Sequence, residues 1–146
     1  QDLVLTSSGK DITPFIRTPE ITMLTSATSA LPMVRQALLG IQKQIAATRD
    51  AVFEGRDMGT AVFPDAPFKF FLSADIDVRA KRRFDEMDAA DAKLDKVKAD
   101  MARRDTNDAS RDTSPLKPAH DAHLVDSTHM SVAQVVEKMQ SLIENP

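Results

Sequence analysis

Ala51-Val-Phe-Glu-Gly-Arg-Asp-Met-Gly-Thr60 runs from a short apolar segment into a turn that packs an arginine, a carboxylate and two glycines together, and the apolar run Phe68-Lys-Phe-Phe-Leu72 follows it. Ala51, Val52 and Phe53 read as a short buried strand ending in Glu54, and residues 68–72 read as another. In open α/β sheets, ligands sit where strands end. Glycine lets backbone come close to a ligand, the Arg56 guanidinium has the fork that holds a phosphate bidentately, and the Asp57 carboxylate accepts from a base or sugar. The turn over residues 55–60 is therefore expected to face an anionic ligand.

Helical patterns surround this turn. Upstream, Ser7-Ser-Gly-Lys10 lies between Leu3-Val-Leu-Thr6 and Asp11-Ile12 and suggests either a small hairpin or a strand ending in a tight loop. Thr18-Pro-Glu20 combines a capping hydroxyl, a proline at the first helical position and an acid in the first turn, which predicts a helix over 19–30. Pro32 opens a second helix, in which Val34, Leu38, Ile41 and Ile45 form an apolar stripe. Downstream, residues 75–87 read as a basic-then-acidic helix, and 89–104 as a solvated helix whose large apolar positions are Leu94, Val97 and Met101. Ser114-Pro-Leu-Lys-Pro118 breaks that pattern, and 122–126 read as a strand ending in an acid. Ser131 and Gln134 make a capping box before a helix whose Val132, Val135, Val136, Met139, Leu142 and Ile143 line one face. Strands alternating with helices imply an α/β fold with a parallel sheet and helical crossovers.

At 146 residues the chain is expected to form one compact unit. It has no cysteine, tryptophan or tyrosine, 42% hydrophobic content and no long apolar run, so a disulfide scaffold and a spanning helix are both excluded. A reducing, cytoplasmic setting fits this composition. A net charge of −3 gives no global pull toward nucleic acid, so phosphate binding must come from local arginine clusters. Gln1, with no basic or signal-like apolar leader, reads as a cut N-terminus rather than a targeted one.

The arginines concentrate near the turn and the two helices after it: Arg56, Arg79, Arg82, Arg83, Arg103, Arg104 and Arg111. Arg79 and Arg83 are four apart on one helix, a spacing that lets two guanidiniums reach one anion. Surface salt bridges to Asp75, Asp85, Glu86 and Asp88 are the plain alternative. Arg104 and Arg111 bracket Asp108, a grouping able to hold phosphate and sugar hydroxyls together, although a polar helix end and turn explains the same composition. His120, His123 and His129 lie near Asp121 and Asp126, but no convergent metal-ligand spacing follows, and the metal ligands stay unknown. Ser8-Gly-Lys-Asp11 is not a phosphate-binding loop, because Val4 stands where that motif needs its first glycine.

Taken in order, Phe15-Ile-Arg-Thr-Pro-Glu-Ile21, Pro32-Met-Val-Arg-Gln-Ala-Leu-Leu39, Glu54-Gly-Arg-Asp-Met-Gly-Thr-Ala-Val-Phe-Pro-Asp-Ala66, Ser114-Pro-Leu-Lys-Pro-Ala119 and Val125-Asp-Ser-Thr128 resemble the bacterial cytidylate (CMP) kinase family. The resemblance covers nearly the whole chain, and the 55–66 stretch is specific to that family. It implies a P-loop kinase-like three-layer fold with a parallel sheet, an acceptor-binding insertion and a helical lid, in which ATP and Mg2+ serve to phosphorylate CMP or dCMP. The match begins partway into the family pattern, so the fold is expected to be incomplete at its N-terminus, without the donor-phosphate loop. The implied regions are acceptor nucleotide binding over 1–50, core strands and helix over 51–83, lid over 84–113 and a final core strand and helix over 114–146.

By matching positions, the resemblance implies that Ser26, Arg35 and Asp57 recognise cytosine and that Arg56 lies near the acceptor phosphate. Arg104, Asp108 and Arg111 match lid residues engaging sugar and phosphates, Arg56, Arg104 and Arg111 supply charge for transfer, and Arg79 and Arg83 face ATP. Closure would exclude water from the transfer. The chain departs from the pattern at Glu54, where aspartate is usual, and at Asn107 and Ala109, which replace lid arginines and would weaken ATP binding. The implied partners are CMP, dCMP and ATP, with no nucleic acid and no membrane. The whole enzyme is expected to be a monomer, while a sheet lacking its first strand would expose an unpaired edge or apolar helix faces, so this chain is expected to be marginal or to associate with itself. Two other readings are a non-catalytic CMP-binding module and a helical interaction domain with arginines as surface charge.

Overall fold

The computed structural model describes residues 4–16, 18–87 and 93–145, without the side chains of residues 19 and 26. Two compact units divide the chain, Gln1–Arg49 and Asp50–Pro146.

In the first unit, β1 (Thr6–Ser7) and β2 (Lys10–Asp11) pair antiparallel, as the hairpin pattern predicts. Ser8 and Gly9 both take positive φ, 50° and 74°, the backbone that a tight two-residue hairpin turn demands. Thr13 closes the hairpin base by accepting from the Leu5 amide at 2.8 Å. Helix α1 (Pro19–Ser29) starts at Thr18, whose hydroxyl accepts from the Ile21 amide, and ends one residue before the expected Ala30, which becomes its cap. Helix α2 (Pro32–Thr48) follows with proline in its first turn. Its apolar stripe stays largely in contact with solvent, with Leu38, Ile41 and Ile45 all exposed.

The second unit is built on two parallel strands, β3 (Phe70–Ser73) and β4 (His123–Asp126), in register from Phe70↔His123 to Ser73↔Asp126. Two helices, α3 (Ile76–Asp85) and α4 (Leu94–Ser110), lie in the crossover and pack on one another, and α5 (Val132–Glu144) closes the chain. Long parallel connections of this kind are what a helical crossover supplies. The core is small: Val125 on β4, Ala80 on α3 and Val62 after the glycine turn are buried. Apolar residues remain exposed on both strands and on α5, among them Leu72, Leu124, Val132 and Val136. The result is a mixed α/β unit with a small parallel sheet, in line with a P-loop kinase-like fold.

Local chemistry sets the element ends. Asp75 caps α3 by accepting from the Asp77 amide at 2.7 Å, and its own amide donates to Thr128 Oγ1 at 2.9 Å, joining the ends of β3 and β4. Ser131 and Gln134 form the expected reciprocal capping box on α5. Ser127 is buried, its amide and hydroxyl both donating to the Ser73 carbonyl. Arg82 on α3 locks this corner, donating to the Ser127 hydroxyl and to the carbonyls of Ser127 and Met130.

Four sequence expectations need correction. The single compact unit expected from length is instead two, Gln1–Arg49 and Asp50–Pro146. Ala51, Val52 and Phe53 are not a strand: they have no ladder partner among the described residues, and Val52 is fully exposed. A strand exists only when a neighbouring strand takes its hydrogen bonds, which apolar composition cannot supply. The strand expected at 68–72 runs Phe70–Ser73, shifted toward the polar end where Asp75 begins the next helix. The helix expected over 89–104 instead continues through the polar stretch to Ser110, so the proposed helix end at Arg104 is wrong, and residues 88–92 lie outside the described residues. Ion pairs of the last turns, described next, override the weak propensities of Thr106 and Asn107.

Candidate functional site

The glycine turn folds as a single wide turn, Met58–Val62, entered from Asp57. The Asp57 carbonyl accepts from the amides of Thr60, Ala61 and Val62 at 3.3, 2.9 and 3.3 Å, and the Phe63 amide donates to the Met58 carbonyl at 2.7 Å. Concentrating donors on one carbonyl draws the backbone into a tight loop, with Asp57 buried at its start. The rings of Phe53 and Phe63, on either side of it in sequence, meet at a 42° tilt with centroids 4.5 Å apart.

Gly59 is required by close approach. A Cβ there would stand 3.1 Å from Lys69 Cδ and 3.6 Å from Ala119 Cβ. Lys69 is itself buried at the head of β3, its ammonium donating to the Pro64 carbonyl at 2.5 Å and pairing with Asp121 at 2.6 Å. The hydrogen bond from Lys69 holds the Asp121 carboxyl below its usual range. Asp126, at the end of β4, is also held low, first by the hydroxyl and then by the amide of Thr128.

Beside the turn, α4 presents Arg104, Asp105, Asp108 and Arg111 along its last turns and cap. Asp108 is buried, and its carboxylate faces three guanidiniums: Arg56 at 3.1 Å, Arg111 at 3.4 Å and Arg104 at 3.8 Å. The Asp108 carbonyl accepts from the Leu116 amide at 2.8 Å, which ties the segment after α4 to the same point. Arg104 Nε, Arg111 Nη2 and Asp108 Oδ2 are buried without an aligned hydrogen bond among the described residues, so charge rather than directed bonding holds them. The two arginine nitrogens retain donor capacity for an anion. Asp105 pairs with Arg79 at 2.6 Å and with Arg56 at 3.8 Å. Arg79 is fixed from its other side, where Nε donates to the Ala74 carbonyl at 3.0 Å, immediately after β3. The cluster therefore lies beside a strand's carboxyl end, where open α/β sheets hold ligands.

Among the residues named from sequence, Arg56, Arg79, Arg104, Asp108 and Arg111 come together here, with Asp57 adjoining Arg56 at the turn. Arg83 pairs with Glu86 at 3.7 Å. Arg35 lies on α2 of the first unit and donates to the Ser29 carbonyl at 3.3 Å. The Ser26 side chain lies outside the described residues. Sequence reasoning missed Asp105 and Lys69, and Arg82, counted there among the clustered arginines, instead binds Ser127 and Met130. Lys69 had a legible signal, a lone cation inside the apolar run Phe68–Leu72, whereas Asp105 was one acid among many. The histidines do not assemble: His123 stacks near Phe70 with centroids 5.5 Å apart, and no group of three or more metal-ligating side chains occurs among the described residues. No described helix is long and apolar enough to cross a membrane.

A carboxylate ringed by arginines, beside a glycine turn at a parallel strand's end, has the character of a phosphate-handling site in an α/β protein. The family model described as "Cytidylate kinase" matches residues 2–145. The chain is 49% identical over 140 residues to the cytidylate kinase of Corynebacterium glutamicum and 45% identical over 141 to that of Geobacter sulfurreducens, covering 94% and 95% of this chain. It is also 44% identical over 138 residues to a bifunctional pantoate ligase/cytidylate kinase of a Synechococcus strain, covering 93% of this chain and 26% of that protein. The chain belongs to the cytidylate kinase family. It spans 61% and 60% of the length of the first two relatives.

Proposed function

We propose that this chain supplies the acceptor-nucleotide and lid parts of a kinase that transfers the γ-phosphate of ATP to CMP or dCMP. One observation carries the reading: among the described residues, four guanidiniums, Arg56, Arg79, Arg104 and Arg111, share the two carboxylates of Asp105 and Asp108 in this cluster. Two positive charges remain uncompensated within that group, which suits a phosphate monoester dianion. In this reading Arg56 meets the acceptor phosphate, and Asp57 with Ser26 and Arg35 reads the cytosine edge. Asp108 with Arg104 and Arg111 engages ribose and phosphate as a lid over 84–113 closes, excluding water. Arg79 and Arg83 face the donor nucleotide. The described residues offer no carboxylate cluster fit to hold a resident metal, so Mg2+ enters this proposal only as part of the MgATP substrate. The cysteine-free composition fits a reducing, cytoplasmic setting.

The sequence contains no Gly-x-x-x-x-Gly-Lys run, so the donor-phosphate cradle is not among this chain's contributions. The test is calorimetry of the chain with CMP and with cytidine, together with phosphorus NMR of CMP and MgATP. CMP is expected to bind saturably and more tightly than cytidine, without formation of CDP by this chain alone. The Asp57→Ala variant should lose at least tenfold in CMP affinity, about 1.4 kcal/mol. Equal binding of CMP and cytidine would remove the phosphate assignment, and unchanged affinity in Asp57→Ala would remove the base assignment. Binding without turnover when the family's remaining segment is supplied would favour a non-catalytic CMP-binding module.

A further inference from the structure

Asp105 sits where two otherwise separate arginines meet. Its Oδ2 takes Arg79 Nη1 from α3 in an aligned hydrogen bond at 2.6 Å, and its Oδ1 faces Arg56 Nη2 from the glycine turn at 3.8 Å. One oxygen serves each guanidinium. Arg79 cannot swing freely, because its Nε is held by the Ala74 carbonyl at 3.0 Å. Arg56 has its principal contact three residues further along α4, at Asp108. The two acids share one face of α4 at i,i+3 spacing, so between them they make two contacts to Arg56 of the turn and one to Arg79 of α3.

We propose that Asp105 is a positioning residue that couples Arg79 to Arg56, fixing the spacing and orientation of the two guanidiniums so that a nucleotide phosphate at Arg56 is read with Arg79 already in place. The inference rests on the proposed function for its ligand, a nucleoside monophosphate. A carboxylate split between two arginines holds them at a set separation, whereas a guanidinium with one partner keeps the rotamer freedom that binding must then remove. Asp105 is about three-quarters shielded, so the pair is screened less than an open surface bridge.

The test uses this chain with Asp105→Asn and Arg79→Gln, singly and together, checked for folding by circular dichroism. Two readouts are taken: CMP and cytidine affinities by calorimetry, and the Arg56 Nε–H resonance in a nitrogen-15 spectrum. Asp105→Asn is expected to weaken CMP about fivefold and leave cytidine unchanged, Arg79→Gln to do the same, and the double variant to lose no more than either alone. The Arg56 resonance is expected to move in Arg79→Gln, since Asp105 transmits the change. Multiplying losses, an equal loss for cytidine, unchanged CMP affinity in the single variants, or an Arg56 resonance indifferent to Arg79 would each overturn the coupling. If the unaltered chain binds no CMP, the functional reading falls, and the Arg56 resonance still decides whether Asp105 couples the arginines. If Asp105→Asn does not fold, Arg79→Gln and Arg79→Lys carry the same resonance test.

Discussion

Replacing Asp108 by asparagine removes the one charge on which three arginines converge while keeping the side chain's shape. The closest shielded partner is Arg111, 3.4 Å away with its side chain 15% exposed. At an effective dielectric of about 20, a unit pair at that distance attracts by about 5 kcal/mol, and desolvation of both groups offsets more than half of it. Arg56 and Arg104 are 40% and 37% exposed, so each adds only about 0.5 kcal/mol. Asparagine leaves the Arg111 guanidinium shielded and uncompensated, and the net loss comes to about 2 kcal/mol. In urea denaturation followed by circular dichroism, that loss lowers the midpoint by about 1 M at a typical slope. Inorganic phosphate should restore part of the loss, because a bound dianion replaces the missing charge, and should stabilise the variant more than the unaltered chain. A midpoint unchanged or raised in Asp108→Asn would refute the reasoning, since the arginines would then be held by something other than this carboxylate.

The two turn glycines should respond differently to alanine. Gly59→Ala sets a Cβ against the stem of Lys69, whose head is fixed by Pro64 and Asp121, and should cost about 1 kcal/mol in urea denaturation. Gly55→Ala meets mainly the end of the flexible Met58 side chain, which can move aside, so its cost should be smaller; the reverse order would count against the Lys69 clamp. Asp121→Asn should lower the melting temperature near neutral pH. Because the folded Asp121 carboxyl is held low by Lys69, its contribution is present above the ordinary carboxylate value and lost as pH falls through the lowered one. The gap between variant and unaltered chain should therefore close below about pH 4, and a gap independent of pH would refute the pairing. Ser131→Ala removes half of the capping box on α5 and should cost about 1 kcal/mol by the same denaturation, with no change in CMP binding.

Elements governed by local chemistry were legible. The Thr18 cap, the prolines opening α1 and α2, the Ser8-Gly9 hairpin turn and the Ser131–Gln134 box all depend on neighbours within a few residues, and each appears as its pattern implied. Strand identity was harder. Phe70–Ser73 and Ala51–Phe53 look alike in composition, yet only the former finds a partner, at His123–Asp126, some fifty residues on. The site was legible as an inventory of arginines and acids, but its pairing was not. Arg79 has Asp75 nearby in sequence and instead takes Asp105.

The sequence by itself determined the helix starts, the capping chemistry and membership of the cytidylate kinase family, which the comparisons bear out. Only the tertiary structure decided that Asp108 gathers Arg56, Arg104 and Arg111, that Asp105 joins Arg56 to Arg79, and that Lys69 lies buried under Gly59. The physical reason is range. Caps and turns are bonds between near neighbours, whereas a charge is indifferent to sequence distance and can satisfy many partners almost equally well. Packing α4 on α3 beside the turn selects one set of those pairings, and with it the site.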